Sequence, residues 1–171
     1  MIKYRQGSLA AFELLYSRHK DATYRYFLRQ CSGQAIAEDL LQELWSKVIK
    51  SKNSYQEQAQ FTTWLYTVAH NLVVDHQRKL HVVEQHDEQS QLSLDAQPDT
   101  QLEQQQLAKK LKHCLNKLPS AQLETFLLNQ ETDLTLAQIA QVVCASLEAT
   151  KSRLRYAISA LRQCLSLSRE G

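Results

Sequence analysis

One segment of 26 residues, 81–106, constrains the fold of this chain more than any other feature. It contains eight Gln, six acidic residues and no basic residue, and Pro98 would interrupt any helix that formed there. Its few apolar side chains cannot offset the entropy that is lost when a backbone becomes ordered. The sequence therefore predicts a flexible acidic linker, and residues 1–80 and 107–171 must each fold around a core of their own.

The charges are distributed in the same three parts. The chain has 20 Lys and Arg against 18 Asp and Glu, a net charge of +2. Residues 1–80 and 107–171 each carry +4, whereas residues 81–106 carry −6. Such an asymmetry points to the partners of the two basic blocks rather than to their fold.

The scarcity of Gly and Pro favours helices. Only 3 Gly and 2 Pro occur in 171 residues, of which 43% are hydrophobic, so helices joined by short turns are expected in place of a sheet. Three scattered glycines cannot form a phosphate-binding loop or a dinucleotide fingerprint. No apolar run is long enough to span a membrane, and residues 1–6 lack the apolar core of a signal peptide. We expect a cytoplasmic protein without membrane insertion.

No group of residues indicates catalysis or metal binding. The four cysteines form no C-x-x-C pair, and we expect them to be buried apolar side chains without bridges; they are Cys31, Cys114, Cys144 and Cys164. His70 and His76 fall on different faces of one predicted helix, which disfavours a metal site. No spacing suggests a nucleophile with its base. The sequence predicts neither an enzyme nor a cofactor, metal ion or small-molecule substrate.

Apolar spacing in residues 1–80 predicts a bundle of three or four helices. The first helix is marked by Leu9, Phe12, Tyr16, His19, Tyr26 and Phe27 and ends near Gly33. The second is marked by Ile36, Leu40, Leu41, Leu44, Trp45, Val48 and Ile49, and the third by Phe61, Leu65, Val68 and Leu72. A polar loop at 50–60 separates the last two.

Residues 107–171 predict four shorter helices. The first three carry Leu107, Leu111, Leu115 and Leu118, then Leu123, Phe126 and Leu127, and then a short segment from Leu136 to about Val143. The last helix is expected to bury Leu147, Leu154, Ile158, Leu161 and Leu165. All-α architecture is thus the prediction for both blocks.

Capping signals mark the last two helices. Thr135 and Gln138 form a capping box, with Leu134 and Ile139 as its hydrophobic staple, and Ser146 is the predicted N-cap of the last helix. A short capped helix, a tight turn and a longer basic helix outline a helix-turn-helix. The alternative is a solvated helix face within an ordinary bundle.

The last helix carries the candidate DNA contacts. Side chains away from its apolar positions are placed to reach base edges in a major groove, and they are Glu148, Ala149, Ser152, Arg153 and Tyr156. Lys151 and Arg155 flank them and suit phosphates, which supply affinity without sequence information.

Five motifs resemble, in order and spacing, the extracytoplasmic-function (ECF) subfamily of the bacterial sigma-70 transcription initiation factors. They lie at 37–43 (AEDLLQE), 61–78 (FTTWLYTVAHNLVVDHQR), 118–119 (LP), 139–140 (IA) and 151–154 (KSRL). The resemblance extends from about Leu9 to Leu165. It implies a chain that binds core RNA polymerase and promoter DNA and that an anti-sigma protein holds inactive.

The resemblance implies a polymerase-binding face on the second helix. Asp39, Gln42 and Glu43 match the family's face that docks on a coiled coil of the largest polymerase subunits, β and β′. Carboxylates opposite Arg or Lys form charge-assisted hydrogen bonds. The alternative is a solvated polar face.

For the −10 element the resemblance implies that residues 1–80 hold the separated non-template strand, with one base flipped into a loop pocket. The matching residues are Lys52, Asn53 and Tyr55 in the loop and Trp64, Asn71, Asp75, Arg78 and Lys79 on the third helix. The alternative is that Trp64 is a core residue and that Asp75 and Arg78 form a local ion pair.

For the −35 element the resemblance implies that residues 107–171 read duplex DNA through the last helix. Three positions depart from the family pattern: Cys144 replaces a turn glycine, Ala149 a common Thr, and Tyr156 a common Arg. Two other classes stay open at this point, a free-standing helix-turn-helix regulator and a helical interaction protein that binds no nucleic acid.

Overall fold

The computed structural model describes residues 1–31, 33–56, 60–84 and 102–167. These residues form eight α-helices and no strand. The chain divides into two compact units, one built mainly from Met1–Leu94 and the other mainly from Asp95–Ala140 and Cys144–Gly171. The predicted all-α fold with two small helical domains is confirmed.

The N-terminal unit contains four helices: α1 (Ile2–Arg5), α2 (Leu9–Gln30), α3 (Gln34–Lys50) and α4 (Phe61–Glu84). The sequence did not predict the short α1. It is followed by Gly7, whose φ of +103° suits glycine and reverses the chain into α2. Ser8 caps α2 by accepting a hydrogen bond from the Ala11 amide at 3.2 Å.

The predicted apolar stripes form most of the core of this unit. Leu44 and Val48 of α3 and Leu65 of α4 are fully buried, together with Tyr26 and Phe27 of α2. Three positions of these stripes instead face solvent: Leu9 is 71% exposed, Ile49 is 48% exposed and Tyr16 is 39% exposed. Leu9 and Ile49 lie at the ends of their helices.

The C-terminal unit contains α5 (Leu102–Asn116), α6 (Ser120–Glu131), α7 (Leu136–Val142) and α8 (Leu147–Leu167). Its core joins α5 to α8, and the buried members are Cys114, Leu115, Leu118, Ala157 and Leu161. Cys114 and Cys164 form a disulfide. The expectation that all four cysteines are unbridged is therefore wrong for this pair, because the fold brings together two positions that are 50 residues apart.

The buried faces of α5 and α8 differ from those predicted by the spacing of the leucines. Leu107 is 62% exposed and Leu147 is 39% exposed, although both were expected to be buried. On α8 the fully buried side chains are Thr150 and Ala157. These small side chains let the backbone of α8 approach its neighbours closely, which larger side chains would prevent.

Helices extend into both ends of the predicted linker. Residues 81–84 belong to α4 and residues 102–106 belong to α5. Residues 85–101 lie outside the described residues. Within the described part of the chain, no helix combines the length and the apolar character needed to span a membrane.

Candidate nucleic-acid and polymerase interfaces

A groove of about 230 Å³ lies between α3 and α4 on the N-terminal unit. It is lined by Ile36, Asp39, Leu40, Glu43, Leu72, Asp75, His76 and Lys79. We call it the acidic groove, because three carboxylates face one Lys there. Glu43 also forms an exposed ion pair with Lys47 at 3.5 Å, and such pairs contribute little to stability.

The acidic groove brings together residues that the sequence had assigned to different partners. Asp39 and Glu43 belong to the predicted polymerase-binding set, whereas Asp75 and Lys79 belong to the predicted −10 set. Gln42 is exposed on α3. Sequence reasoning had not singled out His76 as a site residue; its Nε2 is buried and finds no hydrogen-bond partner among the described residues. Among the same residues, no group of three or more His, Cys, Asp or Glu is placed to hold a metal ion.

The polar loop after α3 is packed against α1. The Lys52 ammonium lies 4.9 Å from the centroid of the Tyr4 ring, and Arg5 Nη1 donates a 3.2 Å hydrogen bond to the Tyr55 carbonyl oxygen. Asn53 is exposed, whereas Tyr55 is only 6% exposed. In this conformation Tyr55 therefore presents no ring face to a base, and of the three candidate loop residues Asn53 is the exposed one.

An aromatic cluster joins this loop to the start of α4. The Tyr55 and Trp64 rings lie 5.2 Å apart edge-on, and Phe61 lies 5.8 Å from Trp64. Trp64 is half-buried, so it belongs to the core through one part of its ring and reaches the surface with the other. His19 packs at 5.5 Å from Phe61, and burial together with Arg18 lowers the pKa of His19 below its ordinary value.

The exposed face of α4 carries Asn71 and Arg78. Asn71 faces solvent. Arg78 pairs with Asp75 at 3.7 Å, and both side chains are mostly exposed, so the i, i+3 pair expected from the pattern is present. Such a pair contributes little to stability and leaves the guanidinium near the surface, where it can reach a phosphate.

The helix-turn-helix forms as the capping signals predict. The Thr135 amide donates to Gln138 Oε1 at 2.8 Å and the Gln138 amide donates to Thr135 Oγ1 at 3.3 Å, which completes the capping box. Ser146 Oγ accepts a 3.1 Å hydrogen bond from the Ala149 amide and so caps α8. These local bonds fix where α7 and α8 begin.

The turn between α7 and α8 contains the one non-glycine residue with positive φ in the described part of the chain. Cys144 has φ of 50°, in the left-handed region that favours glycine. The Ala145 amide then donates a 3.0 Å hydrogen bond to the Ala140 carbonyl oxygen and closes the turn. The departure noted at Cys144 therefore preserves the geometry of the turn and adds backbone strain.

The N-terminal half of α8 presents a mixed polar surface. Glu148 and Lys151 are exposed and form a 2.8 Å ion pair, which occupies the ammonium group. Ser152 and Arg153 are half-buried, and Ala149 is also half-buried. Arg155 lies 5.3 Å from the ring centroid of the exposed Tyr156. All seven predicted residues thus lie on one helix, and four of them are exposed: Glu148, Lys151, Arg155 and Tyr156.

Two family models match this chain. Sigma-70 region 2 matches residues 15–81, and sigma-70 region 4 matches residues 114–163. The first range includes the acidic groove, the loop after α3 and nearly all of α4. The second begins at the disulfide-linked Cys114 and includes α7, the turn and most of α8.

The curated relatives are named as RNA polymerase sigma factors. The RNA polymerase sigma factor CarQ of Myxococcus xanthus is 38% identical over 81 residues, which cover 46% of this chain and 47% of CarQ. The ECF RNA polymerase sigma factor SigK of Mycobacterium sp. (strain KMS) is 28% identical over 163 residues, which cover 92% of this chain and 84% of SigK. The chain therefore spans about half of CarQ but most of SigK.

Solved structures share the fold. The sigma factor RpoE from Bartonella quintana, in complex with the anti-sigma factor NepR, matches with a TM-score of 0.80 and 22% identity over 92% of this chain and 98% of RpoE. CnrH, in complex with the cytosolic domain of CnrY, matches with a TM-score of 0.71 and 18% identity, covering 96% of this chain and 94% of CnrH. Both region models and the full-length relatives place this chain in the sigma-70 family. The protein belongs to its ECF subfamily.

Proposed function

We propose that this chain is an alternative sigma factor of the bacterial cytoplasm. It binds core RNA polymerase, directs it to specific promoters and promotes melting of the −10 region, with no catalytic residue of its own. The observation that carries this proposal is the presence, on one chain, of matches to sigma-70 regions 2 and 4. A free-standing regulator would need the second match only.

The two units have different proposed binding partners. In this proposal residues 1–80 bind polymerase and the −10 strand, residues 107–171 bind the −35 duplex, and residues 81–106 tether them. Each DNA-binding block carries +4, which suits phosphate contacts, while the tether carries −6. An anti-sigma protein is the expected regulatory partner, since RpoE is seen in complex with the anti-sigma factor NepR.

The acidic groove is the proposed docking surface for β and β′. Asp39 and Glu43 line it, and Gln42 is exposed on the same helix. Arg or Lys side chains from a polymerase helix would form charge-assisted hydrogen bonds with the carboxylates. Leu40 and Leu72 supply an apolar floor on which the stems of those side chains can pack.

The −10 strand is proposed to cross the surface made by Asn53, Trp64 and Asn71. Asn53 and Asn71 are exposed and offer amide hydrogen bonds to base edges, and Trp64 offers part of a ring for stacking. Lys52 and Arg78 supply positive charge near this surface, whereas Lys79 lies on the adjacent face, in the acidic groove. Capture of an extruded base offsets the unstacking cost, so binding energy can drive melting without ATP.

The −35 duplex is proposed to contact the N-terminal half of α8. Lys151 and Arg155 contact phosphates, and Arg153 and Ser152 are the candidates for base edges. Tyr156 and Ala149 stand where the family commonly has Arg and Thr. We therefore expect a salt slope lower by about one charge than that of a family member with Arg at this position.

Reconstitution tests the proposed function. The full chain is mixed with bacterial core RNA polymerase, and co-elution and promoter-dependent transcripts are measured. Asp39→Lys should lower polymerase affinity by about ten-fold or more, because it reverses the charge in the groove. Glu13→Lys makes the same charge change on the exposed face of α2 and serves as the matched control. Equal losses from both variants would show that net charge, not the groove, governs binding.

A second pair of variants tests the assignment of the units. Arg153→Ala should alter −35 preference and leave polymerase binding unchanged. Arg162→Ala removes an exposed Arg further along the same helix and should alter neither. Stable, sequence-specific DNA binding without polymerase, unaffected by Asp39→Lys, would instead favour the free-standing regulator.

A further inference from the structure

The N-terminal helix α1 reaches the loop that follows α3. Gly7 adopts φ of +103° and turns the chain so that α1 lies beside the helical bundle. The Gly7 and Ser8 amides close this turn by donating hydrogen bonds to the Tyr4 and Lys3 carbonyl oxygens, each at 3.0 Å. Tyr4 is consequently 6% exposed although it is only four residues from the start.

Two contacts join α1 to this loop. The Lys52 ammonium lies over the Tyr4 ring, 4.9 Å from its centroid, which is within the range of a cation–π interaction. Arg5 Nη1 donates a 3.2 Å hydrogen bond to the backbone carbonyl oxygen of Tyr55. The Tyr4 contact fixes the Lys52 side chain, and the Arg5 hydrogen bond fixes the Tyr55 backbone. Together they restrict the loop on both sides of Asn53.

The opposite side of the loop is held by α4. Tyr55 packs edge-on against Trp64 at 5.2 Å and against Phe61 at 6.3 Å. The Tyr55 amide also donates a 2.8 Å hydrogen bond to the Ser51 carbonyl oxygen. The loop therefore lies between α1 and the aromatic start of α4, and Asn53 is left exposed between these two supports.

We propose that Tyr4 and Arg5 are positioning residues that hold the loop at 51–56 in the conformation that presents Asn53 to the separated −10 strand. This inference rests on the proposed function, in which that loop contacts the −10 element. It assigns α1 a part in promoter discrimination, although Tyr4 and Arg5 themselves need not touch DNA. Tyr55 acts in the same way, as a buried support of the loop.

The physical reason is preorganisation. A loop that is ordered before the strand arrives does not lose its conformational entropy at the moment of binding. An Asn side chain also discriminates between bases only when its amide is held in a fixed orientation. Loss of α1 contacts should thus reduce base discrimination more than it reduces general attraction to DNA.

The test uses holoenzyme assembled from the full chain and core polymerase. It is bound to a fork-junction DNA library that is randomised across the −10 element, and the enrichment of each base is measured by sequencing. Arg5→Gln should lower the enrichment of preferred bases by about five-fold, the loss expected for one hydrogen bond of ordinary strength. The Gln amide can also donate, but on a shorter and uncharged side chain; Arg5→Lys, which retains a charged donor on a chain of similar length, should recover part of the loss.

Matched variants distinguish an effect on loop position from an effect of net charge or of stability. Lys3→Gln removes the same charge from an exposed site on α1 and should leave the enrichment profile unchanged. Tyr4→Phe keeps the ring beneath Lys52 and should also leave it unchanged, whereas Tyr4→Leu keeps an apolar side chain without a ring and should flatten it. Polymerase affinity should stay the same in Arg5→Gln, and its thermal midpoint should fall by only the few degrees that one lost hydrogen bond costs, so the variant stays folded in the assay.

Two outcomes would contradict the inference that α1 positions the loop. If Arg5→Gln and Lys3→Gln give the same profile, or if Arg5→Gln weakens polymerase binding to the same degree as discrimination, α1 does not position the loop. Asn53→Ala identifies which idea has failed. A loss of discrimination in Asn53→Ala with no effect of Arg5→Gln removes this inference alone, whereas no effect of either variant also removes the loop from the proposed −10 contacts.

Discussion

Reduction of the Cys114–Cys164 disulfide should destabilise the C-terminal unit and leave the N-terminal unit unchanged. The bridge joins α5 to α8 across a sequence separation of 50 residues. Closing a loop of that length removes unfolded-chain entropy equivalent to about 4 kcal/mol at 25 °C. Reduction removes no side-chain atoms, and Cys114 stays buried in an apolar core, so no cavity accompanies the loss.

The two tryptophans provide an internal control for the measurement. Trp45 and Trp64 both lie in the N-terminal unit, so their fluorescence follows the unfolding of that unit, whereas far-UV circular dichroism follows both units. In urea, reduction should shift the C-terminal transition in dichroism downward by about 3 M for a domain of this size. The fluorescence transition should not move. The C31S/C144S variant prevents disulfide exchange during the experiment.

Two results would refute this reasoning. A change of less than about 1 kcal/mol between the oxidised and reduced forms would mean that the chain-entropy argument fails for this unit. A tryptophan transition that moves together with the dichroism would mean that the effect is not confined to α5–α8. Thiol titration of the unfolded C31S/C144S chain should give no thiol before reduction and two after it, against two and four for the unsubstituted chain, which verifies the starting state.

Three further predictions concern stability. Cys144→Gly should raise the free energy of unfolding by about 0.5–1 kcal/mol, because glycine relieves the left-handed strain at some entropic cost; Ala145→Gly, at a residue without positive φ, should lower it. Ser146→Ala should cost about 1 kcal/mol through the lost cap of α8, and Ser146→Asp should retain most of that energy; equal losses would argue against capping. Because the pKa of His19 is lowered in the folded state, the unfolded chain binds more protons below about pH 6.5, and stability should fall as the pH drops from 7.5 to 5.5. His19→Asn should reduce that fall when urea titrations are compared across this pH range.

Local signals in the sequence predicted local structure well. The capping box at Thr135 and Gln138 and the N-cap at Ser146 form as expected, because each depends on residues three positions apart. The spacing of Leu40, Leu44 and Val48 likewise identified the buried face of α3. In each case the interaction that decides the structure is contained within one helical turn or one helix.

Features that depend on distant residues were not predicted. The helix α1 has four residues, too few to be stable alone, and it is held by the burial of Tyr4. No spacing rule places Cys114 beside Cys164, since only the packing of α5 against α8 does so. The leucine stripe of α5 was misleading for a related reason: Leu107 lies beyond the part of α5 that the other helices cover.

The candidate −10 residues of α4 divide between two adjacent faces. Successive residues of an α-helix are rotated by about 100°, so Trp64, Asn71 and Arg78, at intervals of seven, stay on one face. Lys79 is rotated by one residue from Arg78 and lines the acidic groove instead. Asp75 lies at the border: it lines the groove with Asp39 and Glu43 and also pairs with Arg78.

In the proposed function, a substitution at Asp75 affects both the polymerase-docking surface and the strand-binding surface. A substitution at Asp75 changes the charge of the polymerase-docking groove and releases a cation on the strand-binding face in one step, so a loss of transcription from it cannot be assigned to either surface. Asn71 is exposed, carries no charge and does not line the groove. Asn71→Ala is therefore the substitution on α4 that isolates strand binding from polymerase docking.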